Sequence, residues 1–217
     1  MFESLFGKKP PVSAANASVP LPLGFRLGGA VSIDDVTYKS HPGLYGFEPP
    51  AGHQIIEALG TVDLGGGSHL YRMYLTDDAW IQVGTTGGEV DDVKLFVFAD
   101  TRSPRDKDAF NQWVQDGSEL GAQRITFGEH TYDRVWGDPP SASWSPPIVY
   151  DEKVTHPAGG EADFDLTHYS MLYQRALPGL AGRFEYLFVT AEDYGPTQFD
   201  VVYSLGADLT SADLTIT

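Results

Sequence analysis

With no cysteine among its 217 residues, the chain is left with carboxylates, histidines and hydroxyls as the side chains that could do chemistry. Six histidines are present, at His41, His53, His69, His130, His156 and His168. No two of them make a His-x-His or His-x3-His pair, so a metal centre would have to assemble from distant strands, and no metal ligand is assigned. The most promising cluster spans 163–168, with Asp163, Asp165, Thr167 and His168. If this stretch is extended, Asp163, Asp165 and Thr167 share one face and His168 lies on the other. That separation weakens a local acid–base pair, and hydrogen-bonded structural roles are the simpler expectation. A second cluster, Glu89, Asp91 and Asp92, follows Gly87-Gly88. It lacks the spacing of the familiar calcium loop and has too few oxygens for the six to eight that calcium takes, so a solvated turn is the simpler reading. Together Glu89, Asp91, Asp92, Asp163, Asp165 and His168 are the candidate ligand-binding residues.

The strong catalytic signatures are missing. There is no Gly-x-Ser-x-Gly elbow, no His-Glu-x-x-His, no phosphate loop and no dinucleotide fingerprint. Gly65-Gly66-Gly67-Ser68 has no following lysine and runs into a strand-like segment, so it reads as a hairpin turn. No catalytic residue and no cofactor is therefore expected. Most aromatic residues must serve as core, because each ring buries roughly 150–250 Å². Trp144 lies among prolines and serines, and with Trp136 it could form a surface platform of the kind a carbohydrate-binding domain uses.

Charge narrows the partners. Formal net charge is -16, from 14 Lys and Arg against 30 Asp and Glu. Such a surface repels phosphate backbones, so nucleic acid is not an expected partner. After Arg183 the chain has no basic residue, while Glu185, Glu192, Asp193, Asp200, Asp208 and Asp213 follow. A solvated acidic face is the plain reading, and a basic docking surface the sharper one.

The elements that must position these residues read mainly as short strands. Strand-like runs at 54–64, 70–75, 79–83 and 93–98 are separated by Gly and Asp turns, which suggests a meander. Further strands are expected at 125–127, 131–136, 148–154, 168–175, 184–190, 198–205 and 214–217. The segment 165–176 also fits helical spacing, but its aromatics and Pro178 favour strand. One helix is predicted over 104–116, capped by Ser103 with Pro104 in its first turn and Asp106 completing a capping box, and Trp113 in the core. The fold class is therefore mainly β, a β-sandwich or rolled antiparallel sheets with that one helix, with α+β as the alternative. In this picture the apolar side chains fill the sheet interior and the carboxylates form an outer shell.

Three regions are expected. Residues 1–9 form a short amphipathic segment, with Phe2, Leu5 and Phe6 at helical spacing and Lys8 and Lys9 beside them. Residues 10–22 form a linker rich in Pro, Ala and Ser, and 23–217 a single domain. The N-terminus lacks the pattern of a secretory signal, and no apolar run approaches the roughly 20 residues of a membrane span. A cytoplasmic location is the expectation, with Phe2, Leu5, Phe6, Lys8 and Lys9 as a membrane or partner contact.

Several stretches resemble the YjfK-like family of uncharacterised bacterial proteins. They are 21–30 (LPLGFRLGGA), 85–96 (TTGGEVDDVKLF), 134–137 (RVWG), 165–175 (DLTHYSMLYQR), 184–187 (FEYL) running to 191–193 (AED), and 213–217 (DLTIT). The resemblance carries over no catalytic residue. It implies a genetic setting beside a phage-shock-type membrane-remodelling protein, small membrane proteins and an ATP-grasp ligase related to glutathionylspermidine synthesis. The leading functional expectation is therefore a non-catalytic adaptor or accessory of an envelope-stress system, partnered by a phage-shock-type protein. The alternatives are an enzyme or binding domain for a cationic small molecule such as a polyamine, and a carbohydrate-binding sandwich.

Overall fold

A computed structural model describes residues 20–217 except Pro140, Gly159 and Ala162; residues 1–19 lie outside it, among them Phe2, Leu5, Phe6, Lys8 and Lys9. The first meander is formed as expected. Its strands are β2 (His53–Gly65), β3 (Ser68–Leu75), β4 (Ala79–Thr86) and β5 (Glu89–Arg102). Each pairs antiparallel with the next. Its tight turns fall at glycines or aspartates: Gly66, Gly67, Gly87, Gly88 and Asp78 all have positive φ, which glycine adopts without a steric penalty. A second meander comprises β8 (Ile148–Thr155), β9 (Phe164–Ala176), β10 (Phe184–Asp193) and β11 (Phe199–Leu209). The segment with two readings, 165–176, is strand.

The two meanders close on each other. Strand β5 pairs with β11, and β8 pairs with β2. The result is an eight-stranded antiparallel barrel in the order β2-β3-β4-β5-β11-β10-β9-β8. Of the two architectures expected, the rolled sheet is the one formed. Eight strands leave an interior just wide enough for side chains or one small ligand.

The apolar residues do not fill that interior alone, which corrects the expected apolar-inside, charged-outside picture. Two of the main hydrophobic clusters lie on the outer faces of the wall. One, on β9–β11, gathers Phe110, Leu120, Ile125, Tyr132, Met171, Tyr173, Leu187, Val189 and Tyr203. It is covered by helix α2 (Lys107–Val114), which is longer than α1 (Val36–Ser40) earlier in the chain, and by the hairpin of β6 (Arg124–Phe127) and β7 (His130–Arg134). The other, on β2–β5, includes Phe25, Ile56, Met73, Ile81 and Leu95 under the 21–33 segment, with β1 (Ala30–Ile33) and β12 (Leu214–Ile216). Where the barrel is covered outside, as on β4, β10 and β11, both faces of the strands are buried and the inner face is free to carry polar groups, whereas β8 keeps an exposed outer face.

The helix α2 is shorter than the predicted 104–116, and its cap is Asp106, whose side chain accepts from the Ala109 N–H at 2.8 Å. Ser103 instead donates to Asp200 Oδ1 at 2.6 Å, which ties the end of β5 to β11 and delays the helix. Phe110 is the buried anchor of α2, and Trp113 packs at the edge of that core.

The carboxylates after Arg183 do not form one solvated face. Glu185 is fully buried, accepting from Tyr132 Oη at 2.6 Å, Arg175 Nε at 2.8 Å and the Gly46 N–H at 2.5 Å. Arg175 also donates to the Leu44 carbonyl, so Glu185 pins the 44–46 loop to β9 and β10. Replacing Tyr132 by phenylalanine leaves one Glu185 oxygen a donor short. The expected loss is about 1–2 kcal/mol of unfolding free energy, measured by urea denaturation.

Candidate functional site

Alternation along the strands sends one set of polar side chains into the barrel. From β3 come Arg72 and Tyr74, from β4 Trp80 and Gln82, and from β8 Tyr150 and Glu152. Strand β9 contributes His168 and Ser170, β10 Thr190 and Glu192, and β11 Asp200 and Ser204. Arg72, Glu152 and His168 are each about 1% exposed. A buried charge is tolerated only when paired and hydrogen-bonded, and here it is both.

The hydrogen bonds form a closed loop across four strands. Arg72 Nη2 donates to Tyr150 Oη at 2.6 Å, and Tyr150 to Ser170 Oγ at 2.9 Å. Ser170 donates to Thr190 Oγ1 at 2.9 Å, and Thr190 to His168 Nδ1 at 3.0 Å. His168 Nε2 donates to Glu152 Oε2 at 2.6 Å, and Arg72 Nη1 closes the loop on that same oxygen. The other oxygen, Glu152 Oε1, accepts from Tyr74 Oη at 2.8 Å.

The directions follow from charge. Arg72, His168 and Tyr74 outweigh the burial of Glu152 and hold its carboxyl down to about 2, so it can only accept. Burial pushes His168 below the ordinary imidazole value, against the opposing pull of Glu152. A neutral imidazole that must donate from Nε2 accepts at Nδ1, which sets the tautomer. Burial raises both Tyr74 and Tyr150, keeping their hydroxyls as donors. Gly60 makes room for the loop: a Cβ there would lie 1.6 Å from Glu152 Oε1. Since every member is satisfied, the loop is a structural girdle, and Glu152 and His168 have no spare capacity for a reacting group.

Above this girdle the barrel opens into a cavity of about 1090 Å³. Its walls are aromatic and aliphatic, from Ala58, Tyr74, Trp80, Phe98, Val154, Phe164, Leu166, Phe188 and Val202. Its charged lining is Glu57, Asp78, Asp100, Glu161, Glu192 and Asp200, against Arg72 as the one strong base. Arg72 is already neutralised by Glu152, and Asp100 has a partner in Arg102 at 3.3 Å. Glu192 and Asp200 are directly opposed across β10 and β11. Among the described residues neither has a lysine or arginine partner: Glu192 accepts from Tyr194 at 2.5 Å and Asp200 from Ser103. Like charges directly opposed on a sheet face repel. Burial, with Glu152 and Asp200 nearby, pushes the Glu192 carboxyl up to about 7, against the pull of Tyr194 and Arg72.

The cavity also gathers unsatisfied polar atoms. Four buried side-chain atoms of the described residues have no hydrogen-bond partner: Trp80 Nε1, Ser204 Oγ, His156 Nδ1 and Tyr203 Oη. The first three belong to residues lining this cavity. These atoms are shielded from the cavity by their neighbours as well as from a protein partner.

The sequence candidates are dispersed. His168 lies on the opposite face of β9 from Asp165, as alternation requires; that face is the inner one, and His168 belongs to the girdle. Asp165 is exposed on the outer side of β9, and Asp163 caps the His156 N–H at 2.9 Å. Glu89 and Asp91 lie at the far end of the barrel, where Asp91 accepts from Thr86 Oγ1 at 2.7 Å. Asp92 lines a smaller cavity of about 260 Å³ at that end and pairs with Lys94 at 2.5 Å. Trp136 borders the same small cavity, packed edge-on to Phe188, and Trp144 is half-buried with its N–H donated to the Leu120 carbonyl at 3.2 Å. Among the described residues no group of three or more His, Asp or Glu side chains is arranged to hold a metal ion, and no helix is long and apolar enough to cross a membrane.

Sequence reasoning missed Arg72, Tyr150, Glu152, Ser170, Glu192 and Ser204. Two signals were available: a lone arginine inside the aromatic run of β3, and Gly60 in mid-strand, which marks close approach by another group.

The geometry defines a closed, all-antiparallel eight-stranded barrel with a hydrogen-bonded floor and an acidic, open-ended cavity. The chain belongs to the family described as protein of unknown function (DUF2491), whose model matches residues 1–215. It is 26% identical to the uncharacterized protein YjfK of Escherichia coli strain K12, over 225 aligned positions covering 99% of this chain and 97% of the relative. The resemblance read from the sequence therefore holds across nearly the whole chain. No solved structure matches the chain significantly.

Proposed function

We propose that the barrel binds a small organic cation whose ammonium group sits inside the cavity between Glu192 and Asp200. The observation that carries this reading is that opposed pair of carboxylates, lining the large cavity without a lysine or arginine partner among the described residues. A bound ammonium would relieve their repulsion and take the place of the missing base. The aromatic and aliphatic walls suit the carbon skeleton of such a ligand, and the acidic rim would steer cations inward. Binding is favoured over hydrolysis or group transfer because the histidine nearest the carboxylates is already committed at both ring nitrogens. An accessory role in an envelope-stress system and a phage-shock-type partner are supported by the family resemblance, and a cytoplasmic setting by the sequence pattern alone.

Calorimetric titration at pH 8 with pentylamine, and with pentanoate as its anionic counterpart, tests this. Pentylamine is expected to bind and pentanoate not to, and Glu192→Gln or Asp200→Asn should weaken pentylamine by about tenfold, the loss of one charge-assisted contact. Equal binding of both compounds, no binding of pentylamine, or full affinity in both variants would overturn the reading.

A further inference from the structure

We propose that the N-terminal segment 2–9 docks on the chain's own body, with Phe2, Leu5 and Phe6 seated in a groove formed by α1 and the loop that follows it. Residues 35–51 enclose a cavity of about 740 Å³ walled by Tyr38, Pro42, Tyr45, Phe47 and Pro49. The rings of Tyr38, Tyr45 and Phe47 form a triangle with centroids 4.6, 5.6 and 5.7 Å apart. All three rings are only half-buried, and Val36 on α1 is 62% exposed. Apolar surface gathered in this way marks a docking site more often than chance exposure does. The groove is also fixed in advance. Glu185 accepts from the Gly46 N–H, and Arg175 donates to the Leu44 carbonyl, so the loop costs little to order on binding.

Three observations select the occupant. Phe2, Leu5 and Phe6 recur at i, i+3 and i+4, the spacing of anchors with which an amphipathic segment enters an apolar groove. Lys8 and Lys9 follow those anchors, while the chain as a whole carries a net charge of -16. In the groove, Asp35 is paired with Lys39 at 2.7 Å, whereas Glu48 has no lysine or arginine partner among the described residues. A basic pair beside the anchors meets that carboxylate.

Reach is the third observation. The described chain begins at Pro20, and Leu21 packs against the same outer cluster as Phe47. Residues 10–19 can span up to about 35 Å, roughly twice the radius of gyration of a domain this size. Tethering over so short a distance gives a local concentration of about a millimolar, so a contact too weak to hold a free peptide is populated here. The family model also matches from residue 1, which places the segment within the shared unit. A membrane surface or protein partner that takes these anchors must first displace them from the groove.

Because the chain has no native cysteine, cross-linking tests this in the full-length protein. Phe47 packs on both outer clusters, those of β2–β5 and β9–β11, which puts the groove near the β5–β11 junction. Lys153, exposed on β8 across the barrel, supplies the control. Under mild oxidation, Ser4→Cys with Lys39→Cys should cross-link within one chain about tenfold or more faster than Ser4→Cys with Lys153→Cys. In the otherwise native chain, the triple variant Phe2→Ser, Leu5→Ser, Phe6→Ser should speed amide hydrogen exchange across 41–49 by about tenfold and leave the barrel strands unchanged. Equal cross-linking of the two pairs, cross-links formed only between two copies, or exchange across 41–49 unaltered by the triple variant would overturn the proposal.

Discussion

Glu152→Ala is expected to cost about 3–5 kcal/mol of folding free energy, the penalty for leaving a buried charge without its partner. The exposed consequence of the change is nil, since Glu152 is 1% exposed, so the loss comes entirely from inside the barrel. Without its carboxylate, Arg72 keeps its guanidinium in a dry interior, while Tyr74 and His168 each lose the acceptor they donate to. Replacing both charges with apolar side chains of similar size, Arg72→Met with Glu152→Leu, removes the desolvation cost along with the attraction. The double variant should recover much of the stability lost in the single one. Urea denaturation of the two single variants and the double variant measures the coupling. A loss below about 1 kcal/mol for Glu152→Ala would mean that the girdle is not what holds the barrel interior together.

The second large effect is a pH dependence with a defined sign. The Glu192 carboxyl is pushed up to about 7 by burial and by Glu152 and Asp200, whereas its ordinary value is 4.5. Tyr194 donates to it, Arg72 pulls the other way, and His168 Nδ1 lies 3.6 Å from its Oε1. Because the folded state holds this proton more tightly than the unfolded chain, stability from this group falls as pH rises from about 4.5 through 7. The full cost, roughly 3 kcal/mol, is reached by pH 8. Glu192→Gln removes it. The variant should melt about 5–10 °C above the wild type at pH 8 and close to it at pH 4.5. Glu152 acts in the opposite sense: held down to about 2, it adds stability above 4.5 that is lost as pH falls toward 2, so it does not mask the comparison near neutrality. A cation seated at Glu192 should also expel the proton, so pentylamine titrated near pH 6 is expected to show a heat that varies with the ionisation enthalpy of the buffer. Identical melting profiles for wild type and Glu192→Gln across this range would show that the carboxyl is ionised at its ordinary value, and the uncompensated pair would then need another explanation.

Much of the strand layout was legible in the sequence. Glycines and aspartates at the turns, with β-branched and aromatic runs between them, located the barrel strands because turn chemistry and strand propensity are local. The resemblance was equally legible, since it rests on ordered strings of residues. The large cavity was not. Clusters that are close in the chain, such as Glu89, Asp91 and Asp92, stood out in the sequence, and the structure puts them at the end of the barrel away from the large cavity. The groups that converge do so from afar: Arg72 and Glu152 are 80 positions apart, and Glu192 meets Asp200 only through the register of β10 and β11.

The sequence by itself determined that the chain would be rich in strands, negatively charged and without a recognised catalytic motif, because these follow from composition and near-neighbour pattern. The tertiary structure decided that β5 joins β11 and β8 joins β2, and closure of that ring turned one face of each strand inward. A two-residue period distinguishes the faces of a strand but does not say which one becomes interior when both are buried. That choice placed the hydrogen-bonded girdle, with Glu192 and Asp200 beside it, inside the barrel and along its large cavity.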